Sequence, residues 1–231
     1  MAKTVGIIGG LGPESTVDYY RRILLECRRR TGLANNPDIN IVSVDIVKAL
    51  AHVSSREYDK LEAMLLSSAA RLNAAGSDFA AIASNTPHVV FDGIARHSPI
   101  PFVSIVESTC SFVKRRAYER PLLTGTLFTM REGFYREAAE RYGIDLMVPS
   151  QEDMLTIHDV IFPELEEGIV VPEKKARFVE MVGRYVRERG VDCVILGCTE
   201  LPLMIGEGDV TVPVVNTSEI HVNAIVDRML A

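Results

Sequence analysis

The chain has 231 residues, of which 47% are hydrophobic and 24% are charged, a composition typical of a globular protein with a sizeable core. The formal net charge of −6 offers no basic surface to nucleic acid, so we expect no nucleic-acid partner. No apolar run approaches the roughly 18 residues that a membrane span requires, and the N-terminus lacks the features of a signal peptide. The length suits one large α/β domain or two lobes of roughly 100 residues each.

The cysteines indicate free thiols rather than a disulfide framework or a metal centre. Cys27 and Cys110 stand alone, and Cys193 and Cys198 form a C-x₄-C pair that no second cysteine pair or histidine cluster completes. A zinc site needs such a second pair of ligands. The histidines show no metal-ligand spacing either. We therefore expect a cytoplasmic protein without a metal site.

Apolar runs typical of buried strands alternate along the chain with amphipathic segments typical of helices. The strand-like runs are residues 4–9, 39–46, 78–83, 101–105, 121–124, 144–148, 192–197 and 212–216. The first helical segment is predicted to have an apolar face made of Val17, Tyr20, Ile23, Leu24 and Cys27. This alternation predicts an α/β fold in which parallel sheets are covered by helices on both faces.

The second half of the chain repeats the pattern of the first. The segment GSDFAAIASNT from Gly76 aligns without a gap with GVDCVILGCTE from Gly190, at an offset of 114 residues, and two further segments align at offsets of 112 and 115 residues. Near-constant spacing indicates an internal duplication. We predict two similar lobes, residues 1–100 with 215–231 and residues 101–214. A pseudo-two-fold axis would relate them, with the active site between them.

Small polar residues occupy four loops that follow predicted strands and precede predicted helices. These loops are GGLGPES at 9–15, SNTPH at 84–88, GTLFT at 125–129 and CTE at 198–200. The first N–H groups of a helix and its dipole favour an anion, and ligands of parallel sheets bind at the carboxyl edge. Any one of these side chains could simply be an N-cap, but four such loops together predict a carboxylate site. Neither dinucleotide nor Walker motifs are present, which argues against a nucleotide.

Cys198 is the sharpest catalytic candidate in these loops. It directly follows the strand-like run DCVILG and lies between Gly197 and Thr199. A thiol beside a helix N-terminus has its pKa lowered, and the thiolate is then a base or a nucleophile. Cys27, Cys110 and Cys193 are instead predicted to be inert core residues, with Cys27 on an apolar helix face and Cys193 in mid-strand.

The motifs IGGLGPEST, SNTPH, GTLFTM and GCTEL together resemble those of the aspartate/glutamate racemase family, over essentially the whole chain. The resemblance implies two similar α/β lobes with the active site between them, in a homodimer. Members of that family racemise acidic amino acids without pyridoxal phosphate or another cofactor. Two cysteines act on opposite faces of the α-carbon, one as a base and the other as an acid.

The resemblance implies roles for particular residues of this chain. Cys198 is expected to be the catalytic group that acts on the L-enantiomer, and aspartate or glutamate is the expected substrate. The position of the first catalytic cysteine is held by Ser84, in an otherwise intact NTPH context. The expected substrate-binding residues are Gly12, Lys48, Asn85, Thr86, Pro87, Thr126, Thr199 and Glu200.

Ser84 departs from the family pattern and leaves three interpretations open. A serine hydroxyl is a far weaker acid than a thiol, and no neighbouring residue in the sequence is a base that would activate it. The protein could be a natural one-cysteine racemase with unequal activity on L and D substrates. It could be a single-cysteine decarboxylase of the same superfamily. The serine could also be an engineered replacement. Apart from these three, a function of a different class is open: a binding protein that keeps the carboxylate loops and has lost turnover.

The side-chain selectivity of the site is open as well. In some family members, basic residues after the second strand and before the 170s bind the distal carboxylate of the substrate. Lys48 falls near the first of these positions, whereas Glu166 falls near the second. If Glu166 lined the pocket it would disfavour a dicarboxylate and could meet an ammonium group instead. Otherwise the acidic segment PELEEG is a solvated helix end.

Overall fold

The computed structural model describes residues 2–32 and 36–231, and the chain divides into two compact units. The first unit comprises Met1–Ser108 and Ser218–Ala231, and the second comprises Thr109–Thr217. The lobes expected from the sequence ended at residues 100 and 214, whereas the compact units end at residues 108 and 217. No helix in the described residues is long and apolar enough to cross a bilayer.

All strands of the described residues belong to two parallel sheets. The strands are β1 (Val5–Gly9), β2 (Ile39–Ser43), β3 (Phe79–Ile82), β4 (Phe102–Val103), β5 (Pro121–Thr124), β6 (Cys193–Leu196) and β7 (Val214–Asn216). The first unit has the order β2–β1–β3–β4, and the second has the order β5–β6–β7. The run predicted as a strand at 144–148 makes only an isolated parallel bridge, between Met147 and Leu122.

Helices connect the strands in both units. They are α1 (Pro13–Thr31), α2 (Ile46–Ser54), α3 (Tyr58–Ala74), α4 (Phe91–His97), α5 (Ile105–Arg115), α6 (Leu127–Arg131), α7 (Phe134–Arg141), α8 (Gln151–Ile161), α9 (Pro172–Arg189), α10 (Leu201–Met204) and α11 (Thr217–Leu230). A 3₁₀ helix, Thr86–Val90, precedes α4. The predicted α/β class with helix-covered parallel sheets is therefore confirmed.

Helices cover both faces of the first sheet because its strands alternate their side chains between two apolar layers. On one face, Val5 and Ile7 of β1 pack in a cluster with buried side chains of α1 and α11. On the other face, a Cβ at Gly6 would lie 2.9 Å from Leu72 of α3. This layering leaves the carboxyl ends of the strands uncovered for loops, which is where the polar motifs begin.

The buried face of α1 differs from the predicted one. Tyr19, Ile23 and Cys27 are buried, at four-residue spacing, whereas Val17 is 63% and Tyr20 45% exposed. The predicted face was therefore wrong at Val17 and Tyr20, because packing against the sheet buries the side of the helix that contains Tyr19.

The second unit packs its sheet against α8 and α9. Leu122 and Leu196 of the strands, Ile157 of α8, and Phe178 and Val182 of α9 belong to one cluster in which each is fully buried. Burial of a side chain of this kind contributes about 1.5–3 kcal/mol. Cys198 lies at the edge of the same cluster, so its position is fixed by the core of the unit.

Candidate active site

The loop after β1 is held against the end of β3 within the first unit. Gly10 has φ of +79°, and a Cβ there would lie 2.3 Å from the Val44 carbonyl oxygen, so only glycine fits. Its N–H donates to Thr16 Oγ1 at 2.9 Å, and Ser15 Oγ donates to the Ala83 carbonyl at 3.0 Å. The first two predicted loops are thus side by side, with Gly12 at the start of α1.

The SNTPH segment begins directly after β3. Ser84 and Thr86 are half-buried, Asn85 is only 4% exposed, and Pro87 is buried in the 3₁₀ helix. The nearest basic side chain along the segment is His88, and its tautomer decides whether it can serve as a base.

Two buried histidines in the first unit are neutral, and their hydrogen bonds fix their tautomers. The Ile105 N–H donates to His88 Nε2 at 3.3 Å, so the proton of His88 is on Nδ1. His221 Nε2 lies 3.0 Å from the Val103 carbonyl oxygen, which only accepts; Nδ1 therefore accepts from the Tyr19 hydroxyl at 2.9 Å. Burial, the largest cause in each case, lowers the pKa of His88 to about 3 and that of His221 to about 4.

His88 therefore does not activate Ser84. Its remaining nitrogen, Nδ1, carries a proton and has no hydrogen-bond partner of ordinary geometry in the described residues. The nearby carbonyl groups of Ser84 and Asn85 act to raise its pKa, but burial outweighs them. With Nε2 accepting from Ile105 and Nδ1 protonated, His88 has no nitrogen free to take a proton, and the loop offers Ser84 no base.

In the second unit, two glycines let the GTLFT and GCTE loops touch. A Cβ at Gly197 would lie 2.7 Å from the Thr124 carbonyl oxygen, and one at Gly125 would lie 2.9 Å from the Gly197 carbonyl oxygen. The Gly197 N–H donates to Thr124 at 2.7 Å. Thr126 Oγ1 accepts from the Thr129 N–H at 3.3 Å as the N-cap of α6. Any side chain at either glycine would separate the loops.

Cys198 follows the end of β6 and makes a defined hydrogen bond. Its side chain is 6% exposed, and its Sγ–H donates to Glu200 Oε2 at 2.9 Å. The other oxygen of that carboxylate, Oε1, accepts from the Thr199 hydroxyl at 2.8 Å. The three residues of the CTE motif are thus joined by hydrogen bonds, in which the Glu200 carboxylate accepts from both the Cys198 thiol and the Thr199 hydroxyl.

The expectation that a helix N-terminus lowers the pKa of Cys198 is wrong. The pKa of this thiol is raised well above its ordinary value, mainly by burial and then by the negative charge of Glu200. Moreover, α10 has only four residues, so its dipole is small. Cys198 is accordingly a thiol in the free protein. Cys193 on β6 is fully buried with a raised pKa, and no disulfide forms among the described cysteines.

Glu166 and Lys48 have different surroundings. Glu166 is exposed, in turns that follow α8 rather than at a helix end. Although the residue is exposed, partial desolvation of its carboxyl group is the largest cause that raises its pKa, followed by the charges of Glu200 and Glu167. The charge of Glu166 in turn raises the pKa of Cys198. The Lys48 side chain is 73% exposed, with Nζ 3.9 Å from an Asp45 carboxylate oxygen.

The structure therefore groups the predicted residues into two sets, one in each unit. The first set is Gly12, Ser84, Asn85, Thr86 and Pro87 at the ends of β1 and β3, and the second is Thr126, Cys198, Thr199 and Glu200 at the ends of β5 and β6. Sequence reasoning assigned Glu200 to the substrate and missed its bond to Cys198. The sequence signal for this hydrogen bond was the two-residue spacing between Cys198 and Glu200 in the CTE motif.

Comparison with known proteins gives one consistent family. The family model for Asp/Glu/Hydantoin racemase matches residues 8–225. The Broad specificity amino-acid racemase RacX of Bacillus subtilis is 20% identical over 98% of both chains. A crystal structure of an aspartate racemase homologue from Pyrococcus horikoshii is 34% identical, with a TM-score of 0.87 over 99% of this chain and 100% of the other. A Yersinia pestis structure with a provisional Asp/Glu racemase assignment is 30% identical, with a TM-score of 0.92 over 99% and 100%.

Proposed function

Because the chain belongs to the Asp/Glu/Hydantoin racemase family, we propose that it is a cofactor-independent amino-acid racemase-type enzyme in which Cys198 exchanges the α-proton of aspartate or glutamate. The observation that carries the proposal is the Cys198 thiol, held at the carboxyl end of β6 by its 2.9 Å hydrogen bond to Glu200. A thiol that was only a core filler would not need a polar partner of this kind.

The proposed chemistry requires few groups. The Cys198 thiolate takes the α-proton of the L-enantiomer: the carbon–hydrogen bond breaks, a sulfur–hydrogen bond forms, and the electron pair passes from the α-carbon into the substrate carboxylate. Hydrogen-bond donors around that carboxylate stabilise the charge that develops on it. We assign this role to the side chains of Asn85, Thr86, Thr126 and Thr199, with Gly12 and Pro87 shaping the loops.

Ser84 is proposed to occupy the second acid–base position, on the D-enantiomer side. The Ser84 hydroxyl has no base beside it. The Nε2 atom of His88 already accepts from the Ile105 N–H, and its Nδ1 atom carries the proton. A serine hydroxyl without a base does not remove an α-proton at neutral pH. The proposal therefore predicts rapid α-proton exchange of the L-enantiomer and slow conversion to or from the D-enantiomer.

Solvent deuterium exchange tests the role of Cys198. The wild-type protein, incubated with L-aspartate or L-glutamate in D₂O, is expected to incorporate deuterium at the α-carbon, as followed by proton NMR. Cys198→Ala is expected to abolish the incorporation. Cys193→Ala, the same substitution on the strand that precedes Cys198, is expected to retain it. Equal exchange by wild type and Cys198→Ala would refute the assignment.

A second variant tests the role of Ser84. Ser84→Cys is expected to raise racemisation, most clearly in the D-to-L direction, because it supplies the missing thiol. The proposal requires the loops of the two units to contact one substrate molecule. In Ser84→Cys the two thiols should then be joined by a short bifunctional thiol reagent, identified by peptide mass spectrometry, and the substrate should protect them. No gain in racemisation would remove Ser84 from the acid–base position.

The same experiments distinguish the alternatives. A binding protein without turnover would bind an acidic amino acid in calorimetry but show no isotope exchange, and it is favoured by the protonated state of Cys198 in the free protein. A single-cysteine decarboxylase would release CO₂ from a malonate-type substrate. Because RacX is described as a broad-specificity amino-acid racemase, the exchange panel should include neutral and basic amino acids. We also propose a homodimer, to be checked by sedimentation.

A further inference from the structure

The Glu200 carboxylate is surrounded by donors that carry no charge. Its two oxygens accept from the Cys198 thiol and the Thr199 hydroxyl, at 2.9 and 2.8 Å. The residue is half-buried, and it makes no ion pair with a cation in the described ranges 2–32 and 36–231. A half-buried carboxylate that is hydrogen-bonded only by neutral donors is a favourable site for a cation.

The Glu200 carboxylate favours the protonated form of Cys198. A carboxylate is a much weaker base than a thiolate, so Glu200 accepts the hydrogen bond without taking the proton. Burial is the largest cause of the raised pKa of the thiol, and Glu200 and then the more distant Glu166 raise it further. The proposed function needs a thiolate, so some positive charge has to enter before catalysis begins.

We propose that Glu200 binds the ammonium group of the amino-acid substrate, and that this ion pair releases Cys198 from the contact that keeps it protonated. The inference rests on the proposed function and adds the group that recognises the ammonium. When the ammonium pairs with Glu200, the thiol loses its acceptor and gains a cation nearby. Its sulfur–hydrogen bond then breaks, the proton passes to water, and the electron pair stays on sulfur as the thiolate.

In this arrangement the ionisation of the Cys198 thiol depends on whether an amino acid is bound. Without an amino acid the sulfur is a protonated, weakly nucleophilic thiol, and with one it is the base that the reaction requires. A dicarboxylate that lacks an ammonium group brings no positive charge to Glu200 and leaves the thiol protonated. Glu200 is thus a positioning residue for the ammonium as well as the group that controls the charge of Cys198.

The first experiment titrates the thiol of the ligand-free protein by the ultraviolet absorbance of the thiolate, with Cys198→Ala as the blank. Glu200→Gln keeps an acceptor oxygen but removes the charge, so its titration midpoint is expected to fall by about one pH unit or more. Glu166→Gln is the matched control and is expected to shift the midpoint in the same direction by less. An unchanged midpoint in Glu200→Gln would overturn the inference.

The second experiment adds ligands at a pH just below the wild-type midpoint. L-Aspartate and L-glutamate are expected to raise the thiolate absorbance of the wild type, and succinate and glutarate, which lack the ammonium, are not. In Glu200→Gln the amino acids are expected to add little to an absorbance that is already high. An equal rise with succinate, or no rise with either amino acid, would overturn the inference.

The two proposals fail in different ways. If amino acids raise the thiolate absorbance but no α-deuterium is incorporated, the inference stands and the proposed function fails. If deuterium is incorporated and amino acids leave the thiolate absorbance unchanged, the proposed function stands and Glu200 does not control the thiol.

Discussion

The buried histidines of the first unit make the protein sensitive to mild acid. His88 and His221 are fully buried and neutral, with pKa values of about 3 and about 4 instead of the ordinary 6.5. In the unfolded chain both take up protons below pH 6.5, whereas in the folded protein neither does so until the pH is much lower. The unfolded state therefore binds more protons between pH 6.5 and 4, and stability is lost as the pH falls through that window.

The size of the effect follows from these values. From pH 7 to pH 5, a histidine with a folded pKa of about 4 or below costs the folded state about 2 kcal/mol, so the pair costs about 4 kcal/mol. Carboxyl groups with lowered pKa values, such as Glu26 and Asp153, change the free energy of unfolding mainly at pH values below the ordinary pKa of a carboxyl group. Glu166, whose pKa is raised, acts in the opposite direction. The histidines thus dominate this part of the profile.

Urea denaturation at intervals of half a pH unit measures how the free energy of unfolding changes with pH. Wild type is expected to lose about 4 kcal/mol of unfolding free energy between pH 7 and pH 5, and His221→Gln, which can both donate and accept, about half of that. The control is His97→Gln, since His97 is 61% exposed and pairs with Glu62; its profile should match that of wild type. A flat wild-type profile, or identical profiles for wild type and His221→Gln, would refute the reasoning.

Three further changes test the packing and polar contacts of the two units. Tyr19→Phe removes the hydroxyl that donates to buried His221 and is expected to cost about 1–3 kcal/mol in urea denaturation, whereas Tyr20→Phe, on an exposed side chain, should cost nearly nothing. Gly197→Ala places a Cβ 2.7 Å from a β5 carbonyl and is expected to abolish α-proton exchange while far-ultraviolet circular dichroism stays native; retained exchange would contradict the close approach. Asp153→Ala removes the acceptor of serine, tyrosine and arginine donors and is expected to cost about 2–4 kcal/mol, visible as a lower denaturation midpoint.

The sequence predicted most of the sheet because buried parallel strands are continuous apolar runs. The runs at 121–124 and 192–197 correspond closely to β5 and β6, and the family resemblance drawn from the four motifs is confirmed. The run at 144–148, predicted as a strand, instead forms only an isolated bridge at Met147. Periodicity placed Tyr20 on the buried face of α1, whereas packing in the folded protein buries Tyr19.

The candidate site was predictable in its residue types and not in its hydrogen bonds. Small polar residues after apolar strands identified the loops that contain Ser84 and Cys198, because loop position follows from the order of the elements. The neutral tautomer of His88 could not be inferred, since it depends on the N–H of Ile105, which is distant in sequence. Thr126 illustrates the opposite case: it is an N-cap, and substrate binding by the same hydroxyl remains a proposal.

Cys198 shows why the charge state of a site needs coordinates even when its motif is recognised. A helix N-terminus carries about half an elementary charge and contributes about 0.3–1 kcal/mol at a nearby anion, which is less than one pKa unit. Burial of the Cys198 thiol is the largest cause of its raised pKa, and the negative charge of the Glu200 carboxylate in contact with the sulfur, at 2.9 Å, acts in the same direction. Together they outweigh the dipole of the short helix. The side-chain rotamer of Glu200 therefore determines how much its charge adds to the pKa shift. The letters CTE do not specify this contact, because a carboxylate two residues along a loop can point towards the thiol or away from it.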